Sequence, residues 1–457
     1  MTTTLNPPKP GFNHQLPLAA PKTPPPFPDA PAPDYEELAG HFRPIFARIA
    51  EDAVRREQSR ELPFEAVRWL REARFGAVRI PRSYGGFGAT IPQLFRLLIE
   101  LGEADSNLSH LFRGHFAFLE GRLNNPDPET HSFWFPKIVQ GELIGYAMAE
   151  RSEGTGGTST LTREGEDWIL HGKKYYSTGT LYADWIVAAA SDNGERVSVA
   201  LPVNTPGVTI LDDWDGFGQR LTGSGTTVFD QVRVPNEFVL HRFSPGTARA
   251  HRAHPYQKAF LQLILLSTLA GVGRAVLRDG IAFVQAKTRT FGIPGVSSPR
   301  ADPLVQRVVG RLSSLSFTAD SLVESVAVAL EELHQSVLAG ELDDTQAVKA
   351  EIKAFQAQQI VIQVVLEATT LLFEVGGASA TSEIRRFDRH WRNARTAASH
   401  NPAIQRERAL GDYYLNGIAP DSNWDARRKK EASEEKLSEG ESGAPTEKAA
   451  EEKHGGE

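Results

Sequence analysis

The sequence predicts an α+β protein in which a helical N-terminal domain, a central antiparallel β-domain and a C-terminal four-helix bundle follow one another along 457 residues. Three observations predict this order. Apolar residues recur at three- to four-residue spacing between Tyr35 and about Gly141, the period falls to two from Leu143 to about Leu240, and helical spacing returns over about 256–291, 302–338, 344–375 and 382–416. The corresponding domains are 34–141, 142–245 and 246–420, flanked by a proline-rich arm at 1–33 and a charged tail at 421–457.

The arm contains Pro24-Pro25-Pro26-Phe27-Pro28, and proline's missing N–H suits neither a helix nor a packed sheet, so a disordered or extended arm is expected. In the first domain Leu38, Phe42, Ile45, Phe46 and Ile49 make one apolar stripe, and Leu94, Leu97, Leu98 and Leu101 make another. Between them the prolines and glycines of 78–88 force a loop. Residues 106–123 read as a single helix with Ser106 as its N-cap. It carries His110 and His115, whose spacing of five puts them on different faces and argues against a shared metal. Strands are expected over 143–149, 168–170, 185–190, 197–201 and 226–234. In the bundle, Leu261, Ile264, Leu265 and Leu269, and again Ile360, Val364, Val365 and Leu371, supply core faces. Asp343 and Asp344 suit the start of its third helix, while Gly340 and Gly376-Gly377 suit helix ends. Beyond Pro420 the chain is too polar to repay its ordering entropy.

Composition narrows the function. At 40% hydrophobic and 23% charged residues the chain is an ordinary globular protein, and its lack of cysteine excludes disulfides, thiolate metal sites and a cysteine nucleophile. A net charge of −7 argues against nucleic acid as a partner. No apolar run reaches the roughly 20 residues of a membrane span, and the N-terminus lacks the apolar core of a signal peptide. A cytoplasmic protein without a membrane partner is expected.

The densest chemistry lies between Arg386 and Pro402. Four arginines, two histidines and Trp391 fall there, with no carboxylate between Asp388 and Glu407. Such a set suits an anionic planar cofactor, with a basic helix end as the alternative. The run Phe387-Asp-Arg-His-Trp-Arg-Asn-Ala-Arg-Thr396, then Ser399-His-Asn-Pro402, follows Phe373-Glu-Val-Gly-Gly377. This segment resembles the C-terminal part of the acyl-CoA dehydrogenase superfamily, and within it the flavin-dependent monooxygenase branch that includes dibenzothiophene and sulfone monooxygenases. The likeness runs from about residue 35 to about residue 420 and includes the turn Tyr84-Gly-Gly-Phe-Gly88.

The resemblance implies a set of site residues. His115 stands at the branch's site histidine and His400 near the place of the dehydrogenases' glutamate, and Ser177 and Thr178 end the strand that faces the flavin, with Ser177 on its N5 side. Trp214 lies against the flavin, Arg289 reaches the cofactor phosphate of a neighbouring subunit, and Arg395 is a further cofactor contact. In the dehydrogenases the equivalent of Arg289 sits one residue earlier. Each also has a plainer reading: a satisfied buried histidine for His115, a β-turn for 172–179, core packing for Trp214 and a surface arginine for Arg289. No metal is implied.

One departure separates the branches. The dehydrogenases abstract a proton with a glutamate, yet no acid occurs from Arg389 to Arg406 or from Tyr256 to Arg278. No Gly-x-Gly-x-x-Gly unit links a strand to a helix, so reducing equivalents must come from elsewhere. The resemblance therefore implies a two-component enzyme. A separate NAD(P)H:flavin reductase supplies reduced FMN, with FAD the less expected flavin; O₂ adds at C4a, and one oxygen passes to a small organic, organosulfur substrate. Imidazole titrates near pH 6.5, so His400, His115 or both can exchange the proton that this chemistry needs. Aromatic or nitrogen hydroxylation, an acyl-CoA dehydrogenase with another base, and a non-catalytic flavin-binding homologue are the alternatives. A homotetramer is expected, as in the superfamily.

Overall fold

The computed structural model describes residues 31–125, 127–150, 159–243, 255–290, 297–341 and 344–420. The tail, the arm up to residue 30 and Asp343 lie outside the described residues. Seven helices come first: α1 Tyr35–Glu51, α2 Ala53–Ser59, α3 Phe64–Glu72, α4 Ile91–Ala104, α5 Ser106–Leu111, α6 Arg113–Leu123 and α7 Pro128–Val139. Their starts follow from local chemistry. Asp34 accepts the N–H groups of Glu36 and Glu37 at 2.9 and 3.1 Å, and Thr90 with Gln93 closes a capping box on α4. The expected single helix over 106–123 is two, because the chain breaks at Phe112, and Ser106 is not its cap. Asp105 takes that place, accepting the Asn107 N–H at 3.0 Å, while the Ser106 hydroxyl accepts from Gln219 Nε2 at 3.3 Å.

The sheet strands are β1 Ile144–Ala147, β2 Thr160–Glu164, β3 Asp167–Lys174, β4 Trp185–Asp192, β5 Glu195–Pro202, β6 Val208–Ile210, β7 Thr227–Val234 and β8 Val239–Phe243. Their order is β6-β7-β3-β2-β4-β5-β8, with β1 added in parallel to β4 at Ile144↔Trp185. β2 meets β4 in parallel at one pair, and the remaining pairs are antiparallel. Alternation gives the sheet two different faces. Ile186, Ala188, Val197, Val199, Phe229 and Val232 close a core of their own, while Val187 and Ala200 point into the larger core shared with the helices.

The C-terminal helices are α8 Gln257–Ala286, α9 Pro303–Leu338, α10 Asp344–Leu371, α11 Asp388–Ala398 and α12 Ala403–Asn416. The expected fourth helix over 382–416 is thus divided. Pro402 has no N–H to continue the ladder and restricts Asn401 before it, so His400 sits at a corner. Two helices are long and apolar enough, by length and composition, to cross a membrane, Gln257–Ala286 and Asp344–Val375, which corrects the expectation that no run reaches that length. In the first, 83% of the most apolar window is buried within the protein, as befits a central helix; in the second, 39% is.

Candidate active site

The site is built where the exit of β3, the loop 212–220, helices α5 and α6 and the corner after α11 meet. Past Lys174 the Tyr175 N–H donates to Ala149 O at 2.9 Å, and Tyr176 turns the chain through a left-handed conformation with φ of 58°. That turn carries Ser177 inward. Its N–H is held by Gly225 O at 3.0 Å, while its hydroxyl is fully buried and has no hydrogen-bond partner. Thr178 is the end of a hydroxyl chain. Thr222 donates to Gln219 O at 2.9 Å, which leaves Ser224 to donate to Thr222 at 2.7 Å, and the single Thr178 hydroxyl proton is shared between Ser224 at 2.8 Å and Tyr176 O at 3.4 Å. Gly179, with φ of 81°, lets this loop press on α5: a Cβ there would lie 2.8 Å from the Leu111 carbonyl oxygen.

The loop with Trp214 is clamped on several sides. Arg60 forks onto Asp212 at 2.8 and 2.7 Å, Asp213 accepts from Thr226, and Arg392 Nη1 donates to Phe217 O at 2.8 Å. Trp214 is half-buried, donates to Gln219 O at 3.0 Å and meets Tyr176 edge-on at 6.0 Å. Gln219 is the hub. Buried and left-handed with φ of 51°, it donates its N–H to Asn393 Oδ1 at 2.6 Å and its Nε2 to Ser106.

The arginines of the dense stretch are largely occupied by their own chain. Arg389 and His390 donate to Asp279 Oδ2 at 2.6 and 2.8 Å, Arg392 joins Glu57 and Asp388 at 2.7 and 2.8 Å, and Arg395 runs along its helix to Ser399 at 3.1 Å. Burial raises the Asp279 carboxyl, but His390, Arg389 and Arg278 outweigh it and hold the group well below the usual carboxylate range. Arg289 stands exposed beyond the end of α8. A small cavity of about 20 Å³, lined by Glu57, Asp105, Asn107, His390 and Asn393, has room for one water and lies beside α11, away from the histidines described next.

His400 faces His110 across the corner, with ring centroids 5.9 Å apart and planes at 63°. Its Nδ1 lies 3.2 Å from Asn401 Oδ1, and Asn401 in turn donates to Gln262 Oε1 at 2.7 Å. His110 is buried, and neither ring nitrogen reaches a hydrogen-bond acceptor or donor at bonding geometry; the Gln219 amide faces the ring without closing to a bond. Burial, with the charge of Arg113, brings the His110 imidazole down to about 4. The same causes, with His110 itself, hold His400 well below its ordinary value. Solvent nevertheless reaches the His400, Arg113 and Tyr146 side chains, although much protein surrounds each of them.

His115 does not join them. The Ile144 N–H donates to its Nδ1 at 3.2 Å, which fixes the proton on Nε2, and Nε2 donates to Gly76 O at 2.9 Å. With both nitrogens engaged and burial lowering its pKa to about 4, this imidazole fastens α6 to β1 and to the turn at Gly76. Sequence reasoning passed over His110, Arg113 and Gln219. A signal existed for one: Arg113 has no acid three or four residues away on its helix. Nothing in the sequence marks Gln219, because its role arises from contacts with Ser106 and Asn393, far away along the chain.

Comparisons with known proteins agree on the fold and its kinship. "Probable FMNH2-dependent monooxygenase SfnC" of Pseudomonas putida is 28% identical over 394 residues, covering 84% of this chain and 94% of that protein. The dibenzothiophene monooxygenase of Rhodococcus erythropolis is 26% identical over 370 residues, 77% of this chain and 86% of its own. The structure of TdsC from Paenibacillus sp. A11-2 with FMN and indole superposes with a TM-score of 0.78 at 24% identity, covering 84% of this chain and 98% of that one. Family models for the acyl-CoA dehydrogenase N-terminal, middle and C-terminal domains match residues 33–142, 145–232 and 264–404 in succession. With all three of its domains present in order, the chain belongs to the acyl-CoA dehydrogenase family.

Proposed function

We propose that this protein is the oxygenase of a two-component FMNH2-dependent monooxygenase acting on a small organosulfur compound. The observation that carries the proposal is the pair His110–His400, 5.9 Å apart, with the charge of Arg113 and no carboxylate bearing on either imidazole, while the carboxylates around α11 are already committed. Asp279 is taken by Arg389 and His390, and Glu57 and Asp388 by Arg392, so no acid among them is poised to abstract a proton as a dehydrogenase requires. The names of the relatives point the same way, toward reduced FMN and sulfur compounds.

The residues fit a flavin. Ser177 holds a buried hydroxyl with no partner, suited to a ring-edge heteroatom, and Thr178 and Trp214 stand beside that turn. Bound reduced FMN supplies two electrons to O₂, so that one oxygen enters the substrate and the other leaves as water, with oxidised FMN released. The protein's own part is to hold the ring edge at Ser177, keep water from that edge and exchange a proton at the His400 imidazole. A flavin reductase is the functional partner. Exposed Leu304 and Phe317 on α9, Ile360 on α10 and Ile404 and Leu415 on α12 support a homotetramer in which such surfaces meet and Arg289 serves a neighbour's site.

Rapid mixing of the protein and photoreduced FMN with O₂, in the presence of dialkyl sulfones, sulfides, sulfinates and dibenzothiophene, tests the assignment. Oxygenated product with matching O₂ uptake is expected. Reduction of an electron-transfer dye by an acyl-CoA, without oxygenation, would overturn it.

A further inference from the structure

Gln219 occupies a strained position for a long polar side chain. It is buried, and its backbone is left-handed with φ of 51°, a conformation that glycine would adopt freely and that costs an L residue energy. What the position gains is contact with two elements at once. Its N–H donates to Asn393 Oδ1 at 2.6 Å and its Nε2 to the Asn393 carbonyl at 3.4 Å, both on α11, which leads into the corner of His400. The same Nε2 donates to Ser106 Oγ at 3.3 Å, and the Leu221 N–H donates to Asn107 Oδ1 at 3.1 Å, both on α5, which carries His110. The loop is therefore bonded to both helices that deliver the histidine pair.

These bonds settle which way the Gln219 amide points. The Asn393 carbonyl can only accept, so the amide nitrogen lies on its side and Oε1 on the other. Oε1 is buried and has no donor, and both ring nitrogens of His110 are buried without partners. Ser106 and His110 are four residues apart on α5 and share a face, so an amide fastened at Ser106 lies one turn from the imidazole. One ring N–H turned to that oxygen would answer an acceptor and a donor together. Burial and the Arg113 charge lower the His110 imidazole, and the Gln219 amide acts against them, as the acceptor of a ring N–H does. No carboxylate bears on the ring, and the other titratable group against it is His400. At His400 the arrangement repeats: Asn401 Nδ2 donates to Gln262 Oε1, which leaves Asn401 Oδ1 to accept the Nδ1 proton at 3.2 Å.

We propose that Gln219 is a positioning residue for the reaction: its side-chain carbonyl accepts the N–H of neutral His110 and so holds that ring in a single tautomer, with the opposite nitrogen bare. The two imidazoles then stand 5.9 Å apart, each with one nitrogen tied to an amide oxygen and one left to take a proton. An amide orients the ring and keeps it neutral, where a carboxylate in the same place would draw it toward imidazolium. The inference rests on the monooxygenase reading for the reaction it serves, but the tautomer is measurable without turnover or flavin.

The test is nitrogen-15 NMR of the full-length protein labelled at histidine, with the His110 signals assigned by their loss in His110→Asn, for wild type, Gln219→Met and Gln219→Glu. At pH 7 wild-type His110 should show one protonated and one bare nitrogen. Gln219→Met keeps the length but offers no oxygen, and should give the averaged signals of two tautomers. Gln219→Glu keeps an acceptor and adds a charge, so His110 should titrate about 1 to 3 pH units higher. In turnover with reduced FMN, Gln219→Met should lower kcat about tenfold, a part of what a proton-transfer group contributes, with KM little changed and more oxygen lost as hydrogen peroxide. Should Gln219→Met not fold, the wild-type tautomer and the Gln219→Glu titration decide the matter. Mixed tautomers in wild type, or His110 signals unchanged in Gln219→Met, overturn the proposal. So does an altered His110 in Gln219→Met with product and peroxide in wild-type proportion, because the tautomer would then not serve the reaction. A single tautomer lost in Gln219→Met, with no oxygenation by wild type, would leave the hold on His110 standing and remove the monooxygenase reading.

Discussion

The imidazoles of His110 and His400 meet edge to face at 5.9 Å, one sealed inside the protein and the other open to solvent. Both stay neutral near pH 7, because burial and Arg113 disfavour the charged form. A neutral imidazole can accept or return one proton without leaving a charge stranded. His400→Ala should therefore slow oxygen transfer by a factor on the order of 10², the usual scale for losing a general acid or base, while binding of reduced FMN changes far less. Product yield set against hydrogen peroxide released reads this directly; full coupling in the variant would remove His400 from the reaction.

Stability should depend on pH through the buried histidines. His110 and His115 titrate near 4 in the folded protein against about 6.5 in the unfolded chain, so the unfolded state takes up protons first as pH falls. Their contribution is complete above about pH 6.5 and is lost progressively toward pH 4, on the order of 1–2 kcal/mol per histidine by pH 5. Urea unfolding at pH 7 and pH 5 measures it, and equal midpoints would contradict the assignment.

Gly218→Ala should loosen the site without touching any ionisable group. A Cβ at that position would fall 2.0 Å from the Arg392 carbonyl oxygen, which is backbone and cannot rotate aside, so α11 must separate from the loop carrying Trp214. Overpacking of this kind costs about 1–3 kcal/mol. The melting temperature should fall and Trp214 fluorescence should shift to the red.

Glu120→Ala should be the more damaging change. Glu120 is fully buried, accepts two bonds from Arg79 at 3.1 and 2.9 Å and a third from the Tyr256 hydroxyl at 2.7 Å. Removing one member of a buried pair leaves the other charge uncompensated, at a cost of about 3–5 kcal/mol. Denaturant unfolding at pH 7 checks the magnitude; a loss under about 1 kcal/mol would mean that water reaches Arg79.

Periodicity carried most of the fold. Long apolar stripes such as Leu94, Leu97, Leu98 and Leu101 on α4 and the continuous apolar run 185–190 on β4 are long enough to be read without partners. Short edge elements were not legible: β6 has three residues, and β2 exposes four of its five. At the site, Ser177 was placed by resemblance to a motif, and the structure adds that its hydroxyl is orphaned. For His115, a site residue by resemblance, the structure adds hydrogen bonds to Gly76 and Ile144, which lie far along the chain and which a motif match does not reveal. The arginines between 386 and 402 were read as donors awaiting a ligand, but Asp279 and Glu57, more than a hundred residues upstream, already occupy Arg389 and Arg392.

Helix α12 has no fully buried residue, and it begins three residues after His400. It is tied to α10 by polar contacts, Gln359 Nε2 to Ala403 O at 3.3 Å and Gln356 Nε2 to the Tyr414 hydroxyl at 2.9 Å, while Ile404 and Leu415 face outward. In the homotetramer proposed above, a helix so lightly held would gain its anchorage by mass action from the subunit that covers it. The corner that carries His400 is then only as steady as that covering, and dilution becomes a chemical variable. At low protein concentration each oxygen consumed should yield more peroxide and less product, so the cell's abundance of this chain would set how cleanly its oxygen is spent.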